Sequence, residues 1–440
     1  MLSLFVLFFL SLSGLLYAKS SDGNTVLVIV EEAQKDEFSV FFDDLKAEGY
    51  SLSFRSPKAD KPALVEYDVP SFSHVVILAP ESKHFAKDIT PQSLVELVSG
   101  GTNLLIALSA KQTPLSSLAA EFSLVLPPAG TPLLSFFPER TDPPSLIPIS
   151  PPSTSNILSS DLAPVWFSGI PFALGSNPLL FPILPAPPES FAGDVNSGAD
   201  ALVDAAEKNG EGLWAGSQVS VVAGFQAAGG ARVTWIGGVD MLKDSLFQKP
   251  VSKNVKSGNA KLTRDITAWT FQENLVLRID RTEHHLVNST ESLESYTTND
   301  NIVFTAYISH FNPKSGDWKP YSGIQDMQLE FTMLDPHLRI PLPFVPNTPG
   351  KYSTTFRAPD RHGVFKFVVN YKRKGWTHLH SSTTVAVVPP RHDGYPRFLS
   401  AAWPFYIGAI STSVGFFLFS AAWLAGESRD GKKAKGTKAQ

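Results

Sequence analysis

The chain has 440 residues, a formal net charge of −4 and no cysteine. Its length is too great for one ordinary domain, so two or three domains are expected. The charge balance excludes a nucleic-acid-binding protein on electrostatic grounds. The lack of cysteine excludes disulfides, cysteine nucleophiles and thiolate metal sites together.

The chain begins with an apolar segment. Residues 2–17 are almost wholly apolar, and Ala18 offers a small residue at a cleavage point before Lys19. This run is too short to span a bilayer comfortably, but it is long enough for the apolar part of a secretory signal. We therefore predict a signal peptide over residues 1–18, with an uncleaved anchor or a buried helix as the alternatives.

Residues 22–250 alternate between apolar strands and amphipathic helices. Continuous apolar runs are typical of strands buried on both faces, and strand–helix alternation implies a parallel sheet. We expect an α/β domain of the amidotransferase-like or Rossmann-like kind. Its predicted strands cover residues 26–30, 50–54, 75–78 and 104–108, and its predicted helices cover 38–45 and 93–98.

A proline-rich segment interrupts this domain over residues 127–190. Proline pairs such as Pro127-Pro128 and Pro151-Pro152 predict an extended excursion with few regular elements. Apolar runs then return at 219–225 and 233–236, and we expect them to be late strands of the same sheet. Gly229-Gly230 suits a tight turn between them.

Residues 265–390 have a different pattern, with short, alternating and aromatic-rich strands. Turn signals such as Asp335-Pro336 and Thr348-Pro349-Gly350 separate them. Short strands at this spacing are typical of a β-sandwich. The predicted strands cover residues 301–308, 327–333, 352–357, 363–371 and 377–388.

A second apolar segment predicts a transmembrane helix over residues 398–424. It lacks charged residues and exceeds the ~20 residues that a helix needs to cross a bilayer. The basic residues of the tail, 427–440, indicate that this end is cytosolic. Together with an N-terminal signal, this orientation predicts a type I membrane protein with one span and with most of its residues in the lumen. Small, weakly polar residues that suit packing against another helix in lipid are Ser411, Thr412, Ser413 and Gly415.

We find no catalytic or cofactor-binding motif in the sequence. Class I amidotransferases share the expected sheet, but their reaction needs a cysteine nucleophile. Neither Gly-x-Ser-x-Gly nor a Gly-x-Gly-x-x-Gly after the first strand occurs. A near-match to a P-loop at residues 426–433 has Lys433 where Ser or Thr must hold magnesium. We therefore predict no catalytic, cofactor-binding or metal-ligating residue, and no enzyme activity of the chain alone.

Three weaker candidates remain. His284 and His285 are adjacent, and adjacent residues of a strand point to opposite faces, so a polar cluster is favoured over a metal site. Asn288-Ser289-Thr290 is a glycosylation sequon among polar neighbours, which makes Asn288 a candidate for modification. Tryptophans that serve either as core residues or as stacking surfaces for sugar rings are Trp214, Trp235, Trp269, Trp318 and Trp376.

Several stretches together resemble a known family. They are residues 350–352, 357–367, 375–383 and 395–398, with Trp269-Thr270-Phe271-Gln272-Glu273, Leu277-Arg278, His284-His285 and 296–300, and in the N-terminal half 41–50 and 99–101. This combination resembles the non-catalytic type I subunits of the oligosaccharyltransferase complex, over nearly the whole chain.

The resemblance implies a role in protein N-glycosylation at the endoplasmic reticulum membrane. In that process the complex transfers a glycan from dolichyl diphosphate to Asn in Asn-x-Ser/Thr. The implied partners are the other subunits, including the multi-spanning catalytic subunit, and the lipid-linked glycan, with no cofactor and no nucleic acid. The alternatives are an independent membrane-anchored lumenal lectin or chaperone, and a free-standing hydrolase.

Overall fold

The computed structural model describes residues 19–194, 200, 203, 207, 212–252, 255–394 and 397–433. The signal peptide predicted at residues 1–18 and the end of the tail, 434–440, lie outside this part of the chain. The described residues form an α/β domain, a β-rich domain and one long C-terminal helix. The fold class expected from the sequence is therefore confirmed.

The first domain contains fifteen strands and five helices among its described residues. The strands are β1 Thr25–Ile29, β2 Ser51–Arg55, β3 Val65–Glu66, β4 Val69–Pro70, β5 His74–Ile77, β6 Asn103–Ala107, β7 Leu124–Val125, β8 Leu133–Leu134, β9 Ile147–Ile149, β10 Val165–Phe167, β11 Phe172–Leu174, β12 Leu180–Pro185, β13 Phe191–Ala192, β14 Val219–Gln226 and β15 Arg232–Ile236. The helices are α1 Ser39–Ala47, α2 Pro91–Ser99, α3 Pro114–Glu121, α4 Asp244–Gln248 and α5 Asn259–Thr270.

The main sheet of this domain is mixed. Strands β2, β1, β5, β6 and β15 lie side by side and parallel, which confirms the predicted parallel sheet. Strand β14 pairs antiparallel with β15, so both late apolar runs belong to the same sheet, as expected. In the turn between them, Gly230 has a φ of 105°, a conformation that favours glycine.

Helices cover both faces of the sheet and create two cores. Because successive side chains of a strand point to opposite faces, Val26 and Val28 enter one core, whereas Leu27 and Ile29 enter the other. Helices α1 and α5 pack on the first face, and α2 and α3 pack on the second. The amphipathic helix predicted over residues 38–45 is confirmed, because Phe41, Phe42 and Leu45 of α1 are buried, as is Phe38 just before it.

The proline-rich excursion contributes short strands to the edge of the fold. Strands β11 and β12 pair with β14, whereas β9–β10 and β8–β13 form separate two-stranded pairs. Proline cannot donate to a strand ladder, and the pairing of β12 is irregular beside Pro182 and Pro185. The apolar residues between the prolines still complete the first core, as Val165, Phe167 and Leu184 show.

The second domain is a sandwich of two sheets around a separate core. One sheet has the order β16–β18–β19 with β22 paired to β18, and the other has the order β17–β24–β23–β20–β21. Side chains from both sheets meet in this core, including Phe304 of β18 and Phe367 of β23, whose rings stack at 5.2 Å. The strands are β16 Leu277–Leu286, β17 Ser295–Thr297, β18 Asn301–Asn312, β19 Asp317–Pro320, β20 Gln328–Thr332, β21 Pro336–Pro341, β22 Lys351–Arg357, β23 Gly363–Tyr371 and β24 Leu379–Val388.

The structural division between the domains lies later than the residue 265 expected from the sequence. Helix α5 begins at Asn259, and its apolar side chains Leu262, Ile266 and Trp269 belong to the first core. The sandwich begins with β16 at Leu277. Residues 265–270 therefore belong to the first domain, because burial of the α5 face requires that sheet.

A long helix follows the sandwich. Helix α6 covers Trp403–Lys433, and Ser400–Gly426 is long and apolar enough to cross a membrane. Twenty-seven helical residues extend about 40 Å, which exceeds the ~30 Å of hydrocarbon in a bilayer. Just before the helix, Phe398 stacks on Tyr406 with ring centroids 4.9 Å apart. The described start of the predicted tail continues this helix to Lys433.

One buried arginine joins the two domains. Arg232, the first residue of β15, is fully buried, and its guanidinium donates five hydrogen bonds of 2.7–3.2 Å. The guanidinium carbon of Arg232 lies over the ring of Trp269, 5.0 Å from its centroid. Burial lowers the pKa of Arg232 to about 9, which leaves it charged at neutral pH. Its acceptors are Gln226 Oε1, the carbonyl oxygens of Trp269, Asn274 and Leu275, and Thr377 Oγ1 in the sandwich.

We predict that Arg232→Met lowers the free energy of unfolding by about 3–5 kcal/mol, because each buried acceptor left without a donor costs about 1–3 kcal/mol. Arg232→Lys is expected to recover only part of this loss, since one ammonium group cannot reach both sides of the acceptor set. Denaturant unfolding of the full-length protein in detergent, followed by tryptophan fluorescence, measures the change.

The matched control is Arg264→Met on the exposed side of α5. Its effect should stay within about 0.5–1 kcal/mol, as for other exposed ion pairs. Equal effects of the two methionine variants would contradict the joining role of Arg232.

Candidate functional site at the domain interface

A polar network lies at the amino-terminal edge of the parallel strands, with Asn103 and Gln272 buried and Asp22 exposed to the adjoining cavity. The Asp22 carboxylate accepts hydrogen bonds from Asn103 Nδ2 at 3.0 Å and from Gln272 Nε2 at 2.5 Å. Gln272 also donates to Asn103 Oδ1 at 3.0 Å, which ties the end of α5 to β6. Partial burial raises the pKa of Asp22, although the hydrogen bond from Asn103 and the charge of Arg232 oppose this rise.

His74 is the fully buried histidine of the same network. Its Nε2 lies 2.9 Å from the carbonyl oxygen of Gly23 and must carry the proton, so Nδ1 accepts from Asn103 Nδ2 at 3.2 Å. Burial lowers the pKa of His74 to about 4, in agreement with this neutral form. Its ring stacks on Phe271 at 4.3 Å. Both ring nitrogens are therefore occupied by structural hydrogen bonds.

A cavity of about 540 Å³ opens beside this network, between the two domains. Ser73 and Thr102 line it from the first domain, and Arg278 and Trp318 line it from the sandwich. The guanidinium of Arg278 lies over the Trp318 ring at 4.1 Å. One face of this tryptophan is therefore already covered by a cation.

A second interdomain cavity, of about 340 Å³, has aromatic walls. Tyr321 has ring neighbours on two sides, Trp376 at 5.7 Å and His310 at 5.3 Å between centroids. Asn156 from the proline-rich excursion and Asn312 from β18 add amide groups to the lining. Rings beside amide donors and acceptors suit a ligand with both apolar faces and hydroxyl groups.

A buried carboxyl group adjoins this aromatic cavity. Glu273 lines it, and Tyr50 donates a 2.5 Å hydrogen bond to Glu273 Oε1. Burial raises the pKa of Glu273 to about 7, while the Tyr50 hydrogen bond and the charges of Lys19 and Arg264 hold it down. The phenol of Tyr50 also has a raised pKa, because it is buried next to this carboxyl group.

The structure separates the five candidate tryptophans. Trp235 and Trp269 are fully buried, and Trp269 Nε1 donates to the carbonyl oxygen of Gly375 at 2.8 Å, so neither ring is free to stack on a sugar. Trp214 packs against the first core. Trp318 lines the first interdomain cavity and Trp376 lines the second, where the buried Trp269 also forms part of the wall.

The adjacent histidines occupy different environments on β16. His284 is buried, stacks on Phe367 at 4.9 Å and has its Nδ1 2.7 Å from the hydroxyl of Tyr296. His285 instead donates from Nδ1 to the Leu286 carbonyl oxygen at 2.8 Å. His284 therefore packs against the sandwich core, and this burial lowers its pKa. Across the described ranges, no group of three or more His, Asp or Glu side chains could hold a metal ion.

The sequon and the helix candidates are all at the surface. Asn288 is exposed, two residues after the end of β16. Within α6, the hydroxyls of Ser411 and Thr412 both donate to the Gly408 carbonyl oxygen at 2.9 Å, and Ser413 bonds to Ala409 in the same way. A side chain added at Gly415 would meet no atom within 4 Å.

Comparisons with known proteins decide the family. The sequence profile of the OST48 N-terminal domain matches residues 17–273, and that of the OST48 middle domain matches residues 284–427. The chain belongs to the OST48 family. The first profile thus includes α5 with the α/β domain, in agreement with the packing of that helix.

Three OST48 relatives are similar to this chain along more than nine tenths of its length. Each is named dolichyl-diphosphooligosaccharide--protein glycosyltransferase 48 kDa subunit. The protein from Danio rerio is 30% identical over 95% of both chains, and that from Caenorhabditis elegans is 32% identical over 93% of both. The protein from Arabidopsis thaliana is 28% identical over 91% of this chain and 92% of its own.

Sequence reasoning missed several residues of the interdomain site in this OST48 chain. Tyr321, His310 and Asn312 come from the β18–β19 hairpin, which has no motif of its own. Arg232 follows Ala231 at the start of an apolar run and resembles an ordinary strand-end charge. The apolar strand that follows Arg232 offered one signal. A charged residue on a strand that is buried on both faces needs polar partners, so such a residue indicates a buried hydrogen-bond network.

We predict that Glu273→Gln stabilises the protein above pH 7. The pKa of Glu273 in the folded state, about 7, exceeds its ordinary value of 4.5, so wild-type stability falls as pH rises through this window. The glutamine keeps an acceptor for Tyr50 but never ionises. The variant should match the wild type below pH 4.5 and exceed it by roughly 3 kcal/mol above pH 7, at about 1.36 kcal/mol per pKa unit.

Denaturant unfolding at a series of pH values measures this difference. Glu96→Gln on the exposed side of α2 serves as the control and should change stability by less than about 0.5 kcal/mol. A gap between Glu273→Gln and the wild type that does not grow with pH would contradict a buried, protonated Glu273.

Proposed function

We propose that this chain is a non-catalytic subunit of the oligosaccharyltransferase complex of the endoplasmic reticulum membrane. The complex transfers a glycan from dolichyl diphosphate to Asn in Asn-x-Ser/Thr. The observation that carries the proposal is the match along 91–95% of this chain to proteins named as the 48 kDa subunit of that glycosyltransferase. The role of the chain is then assembly and substrate positioning.

The hydrogen bonding of the titratable groups at the domain interface supports a non-catalytic role. Asp22 is bonded to Asn103 and Gln272, both nitrogens of His74 are occupied, and Glu273 is bonded to Tyr50. A general acid or base must instead reach a substrate proton. The chain also has no cysteine nucleophile. The catalytic groups therefore belong to another, multi-spanning subunit of the complex.

The membrane helix supports a proposal on partners. Gly408, Ser411, Thr412 and Gly415 follow the spacing i, i+3, i+4, i+7, so they lie along one side of α6. Small residues along one side let another helix approach closely. In lipid this close packing stabilises helix association, because burying apolar side chains gives no gain when the surrounding lipid is itself apolar. The hydroxyls of Ser411 and Thr412 are bonded to their own backbone and leave no unpaired donor on that side. This side is therefore proposed to pack against a helix of another subunit.

The aromatic cavity supports contact with the lipid-linked glycan. Trp376 and Tyr321 supply rings, and Asn156 and Asn312 supply amides that can bond to hydroxyl groups. A cavity of about 340 Å³ is large enough for a sugar unit at one end of a glycan. The same feature would serve an independent lectin, which is the alternative function.

We predict that depletion of the chain lowers sequon occupancy on reporter glycoproteins, and that the chain co-purifies in mild detergent with a multi-spanning transferase. Loss of an assembly subunit should reduce transfer at all sequons, because the catalytic subunit is no longer held in a complete complex. Glycoproteomic occupancy and mass spectrometry of the purified complex measure these outcomes. Normal occupancy, together with glycan binding by the isolated chain, would favour the lectin.

Rescue of depleted cells separates glycan contact from assembly. Trp376→Ala should restore the complex but not full occupancy, whereas Trp318→Ala, whose ring is already covered by Arg278, should restore both. Full occupancy with Trp376→Ala would contradict glycan contact at this cavity.

We also predict a type I orientation. In sealed microsomes, an added protease should shorten the chain only by its basic tail, since the bulk lies in the lumen. A glycosidase should increase the gel mobility of the wild type but not of Asn288→Gln, because Asn288 is exposed in a sequon. Digestion of the bulk in intact vesicles would contradict the orientation, and an unchanged wild-type mobility would contradict modification of Asn288.

A further inference from the structure

The sandwich has an uneven distribution of exposed apolar side chains. Of the six large apolar residues exposed between Leu277 and Val388, five lie at one end. The exception is Phe344, near the start of β22, with which it forms a bridge at Tyr352. The five at the other end are Val287, Met333, Leu334, Val364 and Val388.

Strand pairing defines this end, which we call the exit end. Gly363 at the start of β23 pairs with Val387 near the close of β24, and Thr332 at the close of β20 pairs with Lys366. The hairpin that follows Thr332 and the last residue of β24 therefore lie at the same end. From there the chain leaves the sandwich and enters α6.

Four of the five residues belong to one sheet and form the exit-end patch: Met333, Leu334, Val364 and Val388. A Cβ added at Gly363 would lie 2.9 Å from Met333 Cε, so the hairpin contacts the start of β23. Val364 faces Ala386, which makes it a diagonal neighbour of Val388. Leu334 at the hairpin tip is 93% exposed. The fifth residue, Val287, lies beside the sequon on the other sheet.

The covalent path from this patch to the membrane is short. Nine residues separate Val388 from Phe398, so even a fully extended path covers only about 36 Å. A 3₁₀ turn at His392–Gly394 shortens it further. Phe398 and Leu399 are themselves exposed and apolar, just before the span. The exit end is therefore the part of the sandwich with the shortest connection to the bilayer.

We propose that the exit-end patch rests on the bilayer surface, with the Leu334 hairpin inserted at the boundary between headgroups and acyl chains. Apolar side chains at a hairpin tip gain free energy when they leave water for that boundary, about 5–10 Å below the surface. The patch and the anchor are continuous along the chain, which favours lipid as the occupant. The contact fixes the tilt of the sandwich relative to the bilayer. The proposal rests on the membrane helix and not on the proposed function.

The natural absence of cysteine allows a direct test. Leu334→Cys provides the single thiol of a full-length chain in nanodiscs, and a bimane label on it reports quenching by lipids brominated along the acyl chain. Phe344→Cys at the opposite end is the matched exposed control, and Phe416→Cys within the span is the positive control. We expect strong quenching at 416, clear quenching at 334 and none at 344.

Equal water exposure and equal lack of quenching at 334 and 344 would overturn the proposal. A label at 334 that is shielded from water but not quenched by lipid would also overturn it, because a protein surface would then cover the patch. The same measurement on the purified complex separates lipid contact from contact with another subunit. Loss of quenching at 416 would mean that the chain is not anchored, which removes the basis of the proposal.

Discussion

The arrangement of the two domains depends on the buried guanidinium of Arg232. Removing the charge of Arg232 from water is costly, and the cost is met only when all five donors find acceptors. Those acceptors come from β14, the end of α5, the segment before β16, and Thr377 of the sandwich. Both interdomain cavities border this set, since Thr377 lines one and Asn274 lines the other. Their shapes therefore depend on the same hydrogen bonds.

The polar groups of the interface illustrate how burial can serve structure without chemistry. Asp22, His74 and Glu273 all have shifted pKa values, which in a cleft often indicate catalysis. Here each shifted group contacts side chains or carbonyl oxygens of its own fold. The aromatic cavity carries rings and amides beside them. Rings and amide groups of this kind provide both apolar faces and hydrogen-bonding groups in one cavity.

Sequence patterns predicted the elements whose residues act locally. In strand β1 the apolar residues are continuous, and in helix α1 they recur with the helical period. Their burial therefore follows from the local sequence pattern alone. Strand β16 was not predicted, because its charged residues hide the alternation, although His284 faces the core. Nor was Arg232 found, since its partners lie up to 145 residues away along the chain. The aromatic cavity needs side chains from both domains, and such contacts leave no local signal.

The distance between Arg232 and its last partner has a consequence for biosynthesis. Thr377 is translated 145 residues after Arg232, so the cation lacks its complete set of acceptors while the ribosome is still adding the sandwich. Because the chain has no disulfide to hold it while it is partly synthesised, the junction between the domains stays incomplete until Thr377 has been added. Completion of the junction between the two domains is thereby placed close in time to synthesis of the C-terminal apolar helix.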